Sequence, residues 1–179
     1  MHRNTYKIAL GGLVSAAAVA IMFFGSILPF ATFISPAVAS FSVLYFCIEY
    51  NRRTALLVYA VIGLLSMLLA PDKEQALLFV FLLGYYPIAK SLIEKLHSKV
   101  LAWVLKIVLC DTTMLALYYI ITQVFVIEAV RDELADYTAV LLIVMIILGN
   151  FTFAIFDLAM TRLSVYYEVK IRPRIKHSQ

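Results

Sequence analysis

The sequence predicts an all-α integral membrane protein in which six transmembrane helices form one bundle, with both termini cytoplasmic. Three observations predict this class: 64% of the residues are hydrophobic, only 15% are charged, and the charges are clustered between long apolar runs. A soluble domain would carry about 25% charged and about 45–50% apolar residues. We therefore expect a single membrane domain over residues 1–179 and no soluble domain.

Six apolar segments cover most of the chain, at residues 8–28, 34–50, 54–70, 76–89, 100–127 and 137–161. A straight transmembrane helix needs about 20 residues, so segments two to four are short and the fourth is the shortest. The fifth is long and has to tilt or extend beyond the bilayer. An Ala-x-Ala pattern at residues 37–39 follows the first segment. That segment is too long for the apolar part of a cleaved signal peptide, so we expect a retained helix.

The basic residues between the segments fall mainly on one side of the predicted bundle. The other side has only Lys73 and Arg131. The asymmetry predicts cytoplasmic termini, a basic cytoplasmic tail over residues 162–179, and a multi-pass protein of the cell membrane, with a bacterial plasma membrane expected. It also explains the net charge of +4 without a nucleic-acid partner. The twelve residues on the basic side are Arg3, Lys7, Arg52, Arg53, Lys90, Lys95, Lys99, Arg162, Lys170, Arg172, Arg174 and Lys176.

Prolines mark the irregular parts of the predicted bundle. Pro29 and Pro36 bracket the first outer connection, which is either a tight turn or an apolar loop folded over the outer mouth. Its apolar character favours the second. Pro87 removes a backbone donor, so it kinks or ends the fourth helix. Residues 90–99 then predict a short helix lying at the cytoplasmic interface.

No catalytic motif is present, so an enzyme is not expected. The three histidines, at positions 2, 97 and 177, all lie in cytoplasmic-side segments. Cys47 and Cys110 fall inside predicted spans without CxxC spacing, and we expect packing roles for them. No metal or cofactor is predicted.

Ionisable residues inside a bilayer are costly and usually face protein or a cavity, so those in the last two segments are informative. Lys106 and Asp157 reach similar depths near the inner edge, and Asp111 and Asn150 reach similar depths nearer the middle. We expect two interhelical pairs. Lys106 with Asp157 is interpreted as a structural ion pair. Asp111 with Asn150 is either interhelical bonding or part of a ligand site.

Amphipathic side chains in the outer half suggest a small-molecule pocket. They comprise Tyr85, Tyr86, Tyr118, Tyr119, Gln123 and Asn150. Core packing is an equally good interpretation for any one of them. The predicted substrate-binding set is Tyr85, Asp111, Tyr118, Gln123 and Asn150.

Small residues line one face of the first segment. Ala9, Gly12, Ala16 and Ala20 fall within an arc of about 80° at helical spacing. Helices associate in lipid by close backbone approach over such residues, so the stripe predicts a docking face. An internal helix contact would use the same residues.

With its six spans, cytoplasmic termini and the first-helix spacing Gly12-x-x-x-Ala16-x-x-x-Ala20, the chain resembles the substrate-binding S components of energy-coupling factor (ECF) transporters. The resemblance implies capture of a vitamin-like small molecule at the outer face for ATP-driven uptake. It further implies docking of Gly12, Ala16 and Ala20 onto a transmembrane T component that works with cytoplasmic ATPase subunits. Residues 29–36 would form a lid over a pocket in helices four to six.

Two other classes of protein fit the composition. A non-transporting membrane scaffold of the cell-envelope machinery would show no pocket and would satisfy its intramembrane polar groups among themselves. A small lipid-modifying membrane enzyme would need acids or histidines that converge at the interface.

Overall fold

The computed structural model describes the backbone of residues 2–28, 31–123 and 139–173. These ranges contain six helices and no strand. We name the helices α1 (His2–Gly25), α2 (Ile34–Glu49), α3 (Arg52–Leu69), α4 (Lys73–Ile93), α5 (Lys99–Gln123) and α6 (Ala139–Tyr166). A π-helical turn, Tyr167–Ile171, continues α6.

Five stretches of helix in the described ranges are long and apolar enough to cross a membrane, and they lie in all the helices except α2. Helix α2 is apolar but has 16 residues. Helices suit a bilayer because each backbone N–H and C=O inside hydrocarbon must find its partner within the protein. The described chain is thus an all-α protein of multi-pass membrane character.

The helices pack as two groups, α1–α3 and α4–α6, which meet along α2 and α4. The first group is held by a buried core that includes Ala18, Met22, Val43, Phe46 and Ile62. The second is held by a core that includes Leu77, Leu82, Tyr86, Cys110 and Phe153.

Helix α4 is the central helix of the bundle. In the most apolar 18-residue stretch of α4, 56% is buried inside the protein. The corresponding share is 28% or less in each of the other four spanning stretches. Asp72 caps its first turn by accepting hydrogen bonds from the backbone N–H of Glu74 (3.0 Å) and Gln75 (3.3 Å). The helix therefore begins earlier than expected and spans 21 residues. The prediction that the fourth segment is the shortest was wrong.

The α-helical bonding of α4 is interrupted ahead of Pro87 without ending the helix. A π-helical turn, Phe79–Leu83, lies there, in which Gly84 N–H donates to Phe79 O at 2.7 Å. Pro87 itself lies in the first turn of the α-helical segment Tyr86–Ile93, where a missing N–H is tolerated. The carbonyl of Val80 accepts instead from the Tyr59 hydroxyl at 2.8 Å. Gly84 is required here because a Cβ would lie 2.7 Å from Phe79 O.

The segment ends differ from the sequence predictions in two places. Helix α4 ends at Ile93 and residues 94–98 are not helical, so the interfacial helix predicted for 90–99 was wrong. The tail predicted from residue 162 is instead a continuation of α6 as far as residue 173. It is fixed to α2 through Glu49, which lies 3.1 Å from the Tyr167 hydroxyl and 3.5 Å from Arg172 Nε.

Parts of four predicted features lie outside the described residues. These are positions 29–30 of the expected lid, positions 124–127 of the fifth segment, positions 137–138 of the sixth segment, and positions 174–179 of the tail. The remainder of the expected lid leads into α2, whose first turn contains Pro36, a position that proline tolerates.

Candidate functional site

A buried charge cluster, formed by Lys90, Glu94, Lys106 and Asp157, joins α4, α5 and α6. Lys106 Nζ lies 3.0 Å from both carboxylate oxygens of Asp157, and Lys90 Nζ bonds Oδ1 of the same carboxylate. Both ammonium groups also reach Glu94 Oε1, at 2.8 and 3.0 Å. The side chains of Lys90, Lys106 and Asp157 are 6% exposed or less. Two cations thus meet two carboxylates, and the cluster is electrically neutral.

Each lysine of the charge cluster has an acceptor for each of its three ammonium hydrogens. Lys90 reaches Asp157, Glu94 and, at 2.8 Å, Thr161 Oγ1. Lys106 reaches Glu94 and both oxygens of Asp157. The Tyr86 hydroxyl donates to Asp157 Oδ1 at 2.5 Å. Buried ammonium groups that are fully satisfied in this way stabilise helix packing and offer no open valence to a ligand.

The ion pair between Lys106 and Asp157 has the geometry that the sequence predicts, but Lys90 and Tyr86 are not predicted to join it. The sequence pattern places Lys90 in a cytoplasmic loop and Tyr86 in the outer half, because Pro87 suggests an end to α4. The available signal was spacing. Tyr86, Lys90 and Glu94 recur every four residues, which places them on one face of a continuing helix.

Glu94 lies just beyond the end of α4, with its side chain 45% exposed. Burial alone would raise the pKa of its carboxyl. The ammonium groups of Lys90 and Lys106 outweigh that effect and lower the pKa below its usual 4.5. The carboxylate is therefore charged at neutral pH and balances the second lysine.

A second polar site, the Asp111–Asn150 pair, joins α5 and α6. Asn150 Nδ2 donates to Asp111 Oδ1 at 2.8 Å and to the carbonyl of Ile146 at 3.1 Å. Both partners are acceptors, so the orientation of the carboxamide is fixed with nitrogen toward them. Its oxygen, Asn150 Oδ1, is buried and has no hydrogen-bond partner among the described residues.

An apolar cleft of about 350 Å³ lies between α2, α4, α5 and α6. Its lining residues are Phe33, Ala37, Leu78, Leu82, Leu83, Met114, Gly149, Thr152, Phe153 and Phe156. The side chains from α4 and Phe153 are buried and form its floor, whereas Phe33 and Met114 are exposed at its rim. The hydroxyl of Thr152 donates to Leu148 O at 2.9 Å within its own helix. The cleft is thus open at the molecular surface and almost entirely apolar.

The Asp111–Asn150 pair is close to this cleft along the chain, but neither residue is among those that line it. Asn150 directly follows the lining residue Gly149, and Asp111 lies one helical turn before the lining residue Met114. A Cβ added to Gly149 would meet no heavy atom of the described residues within 4 Å.

None of the described side chains predicted to bind substrate is among those that line the cleft. Asp111 and Asn150 pair with each other across α5 and α6. Tyr85 does not line it: its hydroxyl pairs with the side chain of Thr113, and its ring lies 6.5 Å from that of Tyr59. The side chains of Tyr118 and Gln123 lie outside the described residues.

The small-residue stripe on α1 is not covered by any described part of the chain. Ala9, Gly12, Ala16 and Ala20 are all exposed, and a Cβ on Gly12 would meet no heavy atom within 4 Å. Helix α1 packs through its other side, with Ser15, Ala18, Val19 and Met22 buried. The alternative of an internal helix contact therefore does not hold within the described residues.

No protein-family model matches this chain, and no curated protein or solved structure matches it either. Its function is accordingly inferred from the geometry and chemistry of these four features.

Proposed function

We propose that this chain is the membrane-embedded substrate-binding subunit of an ECF-type transporter, which captures a small molecule at the outer face of a bacterial plasma membrane. The observation that carries the proposal is the apolar cleft, which α4, α5 and α6 wall together with the start of α2. Its volume of about 350 Å³ falls at the lower end of the roughly 300–1,000 Å³ typical of small-molecule sites.

The position of the cleft supports an outer-face site. The lining residues from α2 and α4 belong to the first half of each helix, and Met114 to the second half of α5. With both termini cytoplasmic, as the distribution of basic residues predicts, this half of the bundle is the outer half. The charge cluster then lies in the inner half, where it holds α4, α5 and α6 together beneath the cleft.

The bare stripe on α1 supports a docking role for Gly12, Ala16 and Ala20. In lipid a face of small residues favours helix association, because a neighbouring helix can approach its backbone closely. The stripe belongs to the α1–α3 group and the cleft mainly to the α4–α6 group. One chain therefore has room for a transmembrane T component on one side and a ligand on the other, with ATPase subunits acting through the T component.

The scaffold alternative is supported less well. A scaffold would satisfy its intramembrane polar groups internally and would need no cavity. The charge cluster meets the first condition, but the apolar cleft does not fit this alternative.

Co-purification from the native membrane tests the proposed function. The tagged chain should retain a transmembrane partner and ATPase subunits, and Ala16→Leu should reduce their recovery at least several-fold by covering the stripe. Ala17→Leu is the matched control, because Ala17 is also exposed but lies off the stripe. Recovery of no ATPase with the unmodified chain, or equal recovery with both variants, would contradict the proposal.

A further inference from the structure

The walls of the apolar cleft offer almost no polar group to a ligand. Among the lining residues only Thr152 has a polar side-chain atom, and its hydroxyl donates to Leu148 O within the same helix. A hydroxyl, carboxylate or phosphate group would lose its water there without gaining a partner, which is unfavourable for each buried polar group. The part of a ligand that enters the cleft is therefore apolar.

The side chains around the cleft favour an aromatic ligand over an aliphatic one. Phe33, Phe153 and Phe156 line it, together with the thioether of Met114. Lipid tails are as apolar as leucine, so an aliphatic chain gains little by leaving the bilayer for the cleft. An aromatic ring gains more, because contacts with other rings and with thioether sulfur are favourable beyond the apolar area that they bury.

Two of these rings are held in place from behind by Tyr86. Tyr86 is fully buried and does not line the cleft, yet its ring centroid lies 4.8 Å from that of Phe153 and 5.7 Å from that of Phe156. Its hydroxyl donates to Asp157 of the charge cluster. The two phenylalanine rings are thus fixed before a ligand arrives, which lowers the entropic cost of binding against them.

The size of the cleft suits fused rings. Its volume of about 350 Å³ is more than twice the roughly 150 Å³ of a wholly apolar cavity that binds benzene. Ala37 and Gly149 contribute little or no side chain to its walls. A Cβ on Gly149 would meet no heavy atom of the described residues within 4 Å, so space remains beside α6.

From these observations we infer the substrate class of the cleft: a small molecule whose apolar aromatic ring system, of about the size of naphthalene, packs against Phe33, Phe153 and Phe156. Polar groups of that molecule remain outside the cleft. The inference rests on the proposed function and specifies its substrate.

A matched pair of probes tests the aromatic preference. Naphthalene and decalin share one carbon skeleton, but only naphthalene is aromatic. Equilibrium dialysis of the purified full chain in maltoside micelles, with partition into empty micelles subtracted, should show tighter binding of naphthalene by about tenfold, as expected for a few ring contacts. Equal binding of the two probes, or binding of neither, would overturn the inference.

Filling the cleft should weaken the binding of naphthalene at least tenfold. Gly149→Leu projects into open space, and Thr152→Leu adds bulk from an exposed lining position, so the fold has room for both. Ala17→Leu is the control, because Ala17 is exposed on α1, off the stripe and outside the cleft. Unchanged binding in both cleft variants, with unfolding temperatures equal to that of the parent chain, would overturn the inference.

Replacing a ring at the rim tests the ring contacts themselves. Phe33 is 71% exposed, so Phe33→Leu should fold normally and should reduce the preference for naphthalene over decalin by about two- to fivefold. Phe151→Leu is the control, because Phe151 is 66% exposed on α6 but does not line the cleft. An equal preference in the two variants would overturn the role of Phe33 in binding the ring system.

Phospholipid is the competing occupant, since its acyl chains are also apolar. Excess phospholipid should leave naphthalene bound, and complete displacement would overturn the inference in favour of a lipid-tail site. Failure of the inference is distinguishable from failure of the proposed function. A chain that recovers ATPase subunits but does not prefer naphthalene has another substrate class. A chain that binds naphthalene in the cleft but recovers no ATPase has another function.

Discussion

The charge cluster and the Asp111–Asn150 pair both join α5 to α6, yet they differ in how fully their hydrogen bonds are satisfied. In the cluster each of two lysines finds three acceptors, and the hydroxyl of Tyr86 also donates to Asp157. In the pair, Asn150 Oδ1 is buried with no donor among the described residues. Within the described residues the first site is complete, and the second leaves one acceptor without a donor.

This difference separates two uses of polar side chains inside an apolar bundle. A complete network fixes the relative positions of helices and is disturbed by any change of charge. An incomplete one contributes less to fixing the helices and tolerates substitution better. The following predictions test that the cluster is structural and that the region of the cleft is open.

The largest effect is expected from Asp157→Asn. It leaves two buried lysines facing one half-exposed carboxylate. Removing one partner of a buried ion pair lowers the free energy of unfolding by about 3–5 kcal/mol. Thermal unfolding of the purified chain in detergent measures the loss. Glu94→Gln should be milder because Glu94 is 45% exposed and water can replace it. If Asp157→Asn unfolds at the temperature of the parent chain, the cluster is not structural.

A second substitution should rescue the first. Lys90→Met added to Asp157→Asn removes one uncompensated charge, so the double variant should be more stable than Asp157→Asn alone, by about 0.5–3 kcal/mol of coupling. A charge swap, Lys106→Asp with Asp157→Lys, should not rescue, because the swap would place a second ammonium beside Lys90. The same unfolding assay decides, and a successful swap would show that Lys90 lies outside the network.

Gly84 and Gly149 differ in packing, since the first is tightly surrounded and the second adjoins the cleft. Gly84→Ala would force a Cβ against Phe79 O and its ring, at 2.7 and 2.8 Å, and we expect a loss of about 1–3 kcal/mol. Gly149→Ala meets no heavy atom of the described residues within 4 Å and should leave stability unchanged or slightly raised. Equal destabilisation by both substitutions, measured as the shift in unfolding temperature, would mean that the cleft is not open at Gly149.

The smallest effect is expected from pH. Because the pKa of Glu94 is lower in the folded chain than its usual 4.5, its contribution to stability is complete above about pH 4.5 and is lost as pH falls through the folded-state pKa. The stability advantage of the parent chain over Glu94→Gln should therefore shrink below pH 4.5. A constant difference from pH 7 to pH 3 would contradict the pairing of Glu94 with the lysines.

Much of this fold follows from apolar run lengths, and the interhelical pairs follow from counting depth along α5 and α6. Ionisable residues are costly in hydrocarbon, so the sequence predicts that Lys106 and Asp157 face the bundle interior and pair with each other. The buried position of Lys90 could not be predicted in this way, because Pro87 suggests an end to α4 before that residue. Pro87 instead lies in the first turn of the α-helical segment Tyr86–Ile93, where its missing N–H is tolerated, and that segment carries Lys90 into the bundle.

The cleft could not be predicted for a different reason. Helix α6 is apolar on all sides, so hydrophobic periodicity does not show which residues face α4 and which face lipid. The sequence marks Asn150 as polar but is silent on whether its oxygen has a donor. That property depends on the distances from Nδ2 to Asp111 and Ile146, which only the folded structure supplies.

Native mass spectrometry of the full chain, extracted from its own membrane, tests the central claim most directly. We predict a retained molecule smaller than a phospholipid, present on the parent chain and on Ala17→Leu, an exposed α1 position off the stripe, but absent from Gly149→Leu. A parent chain that carries no bound molecule, or one that carries only phospholipid to the same extent as Gly149→Leu, would contradict the assignment of the cleft as a ligand site.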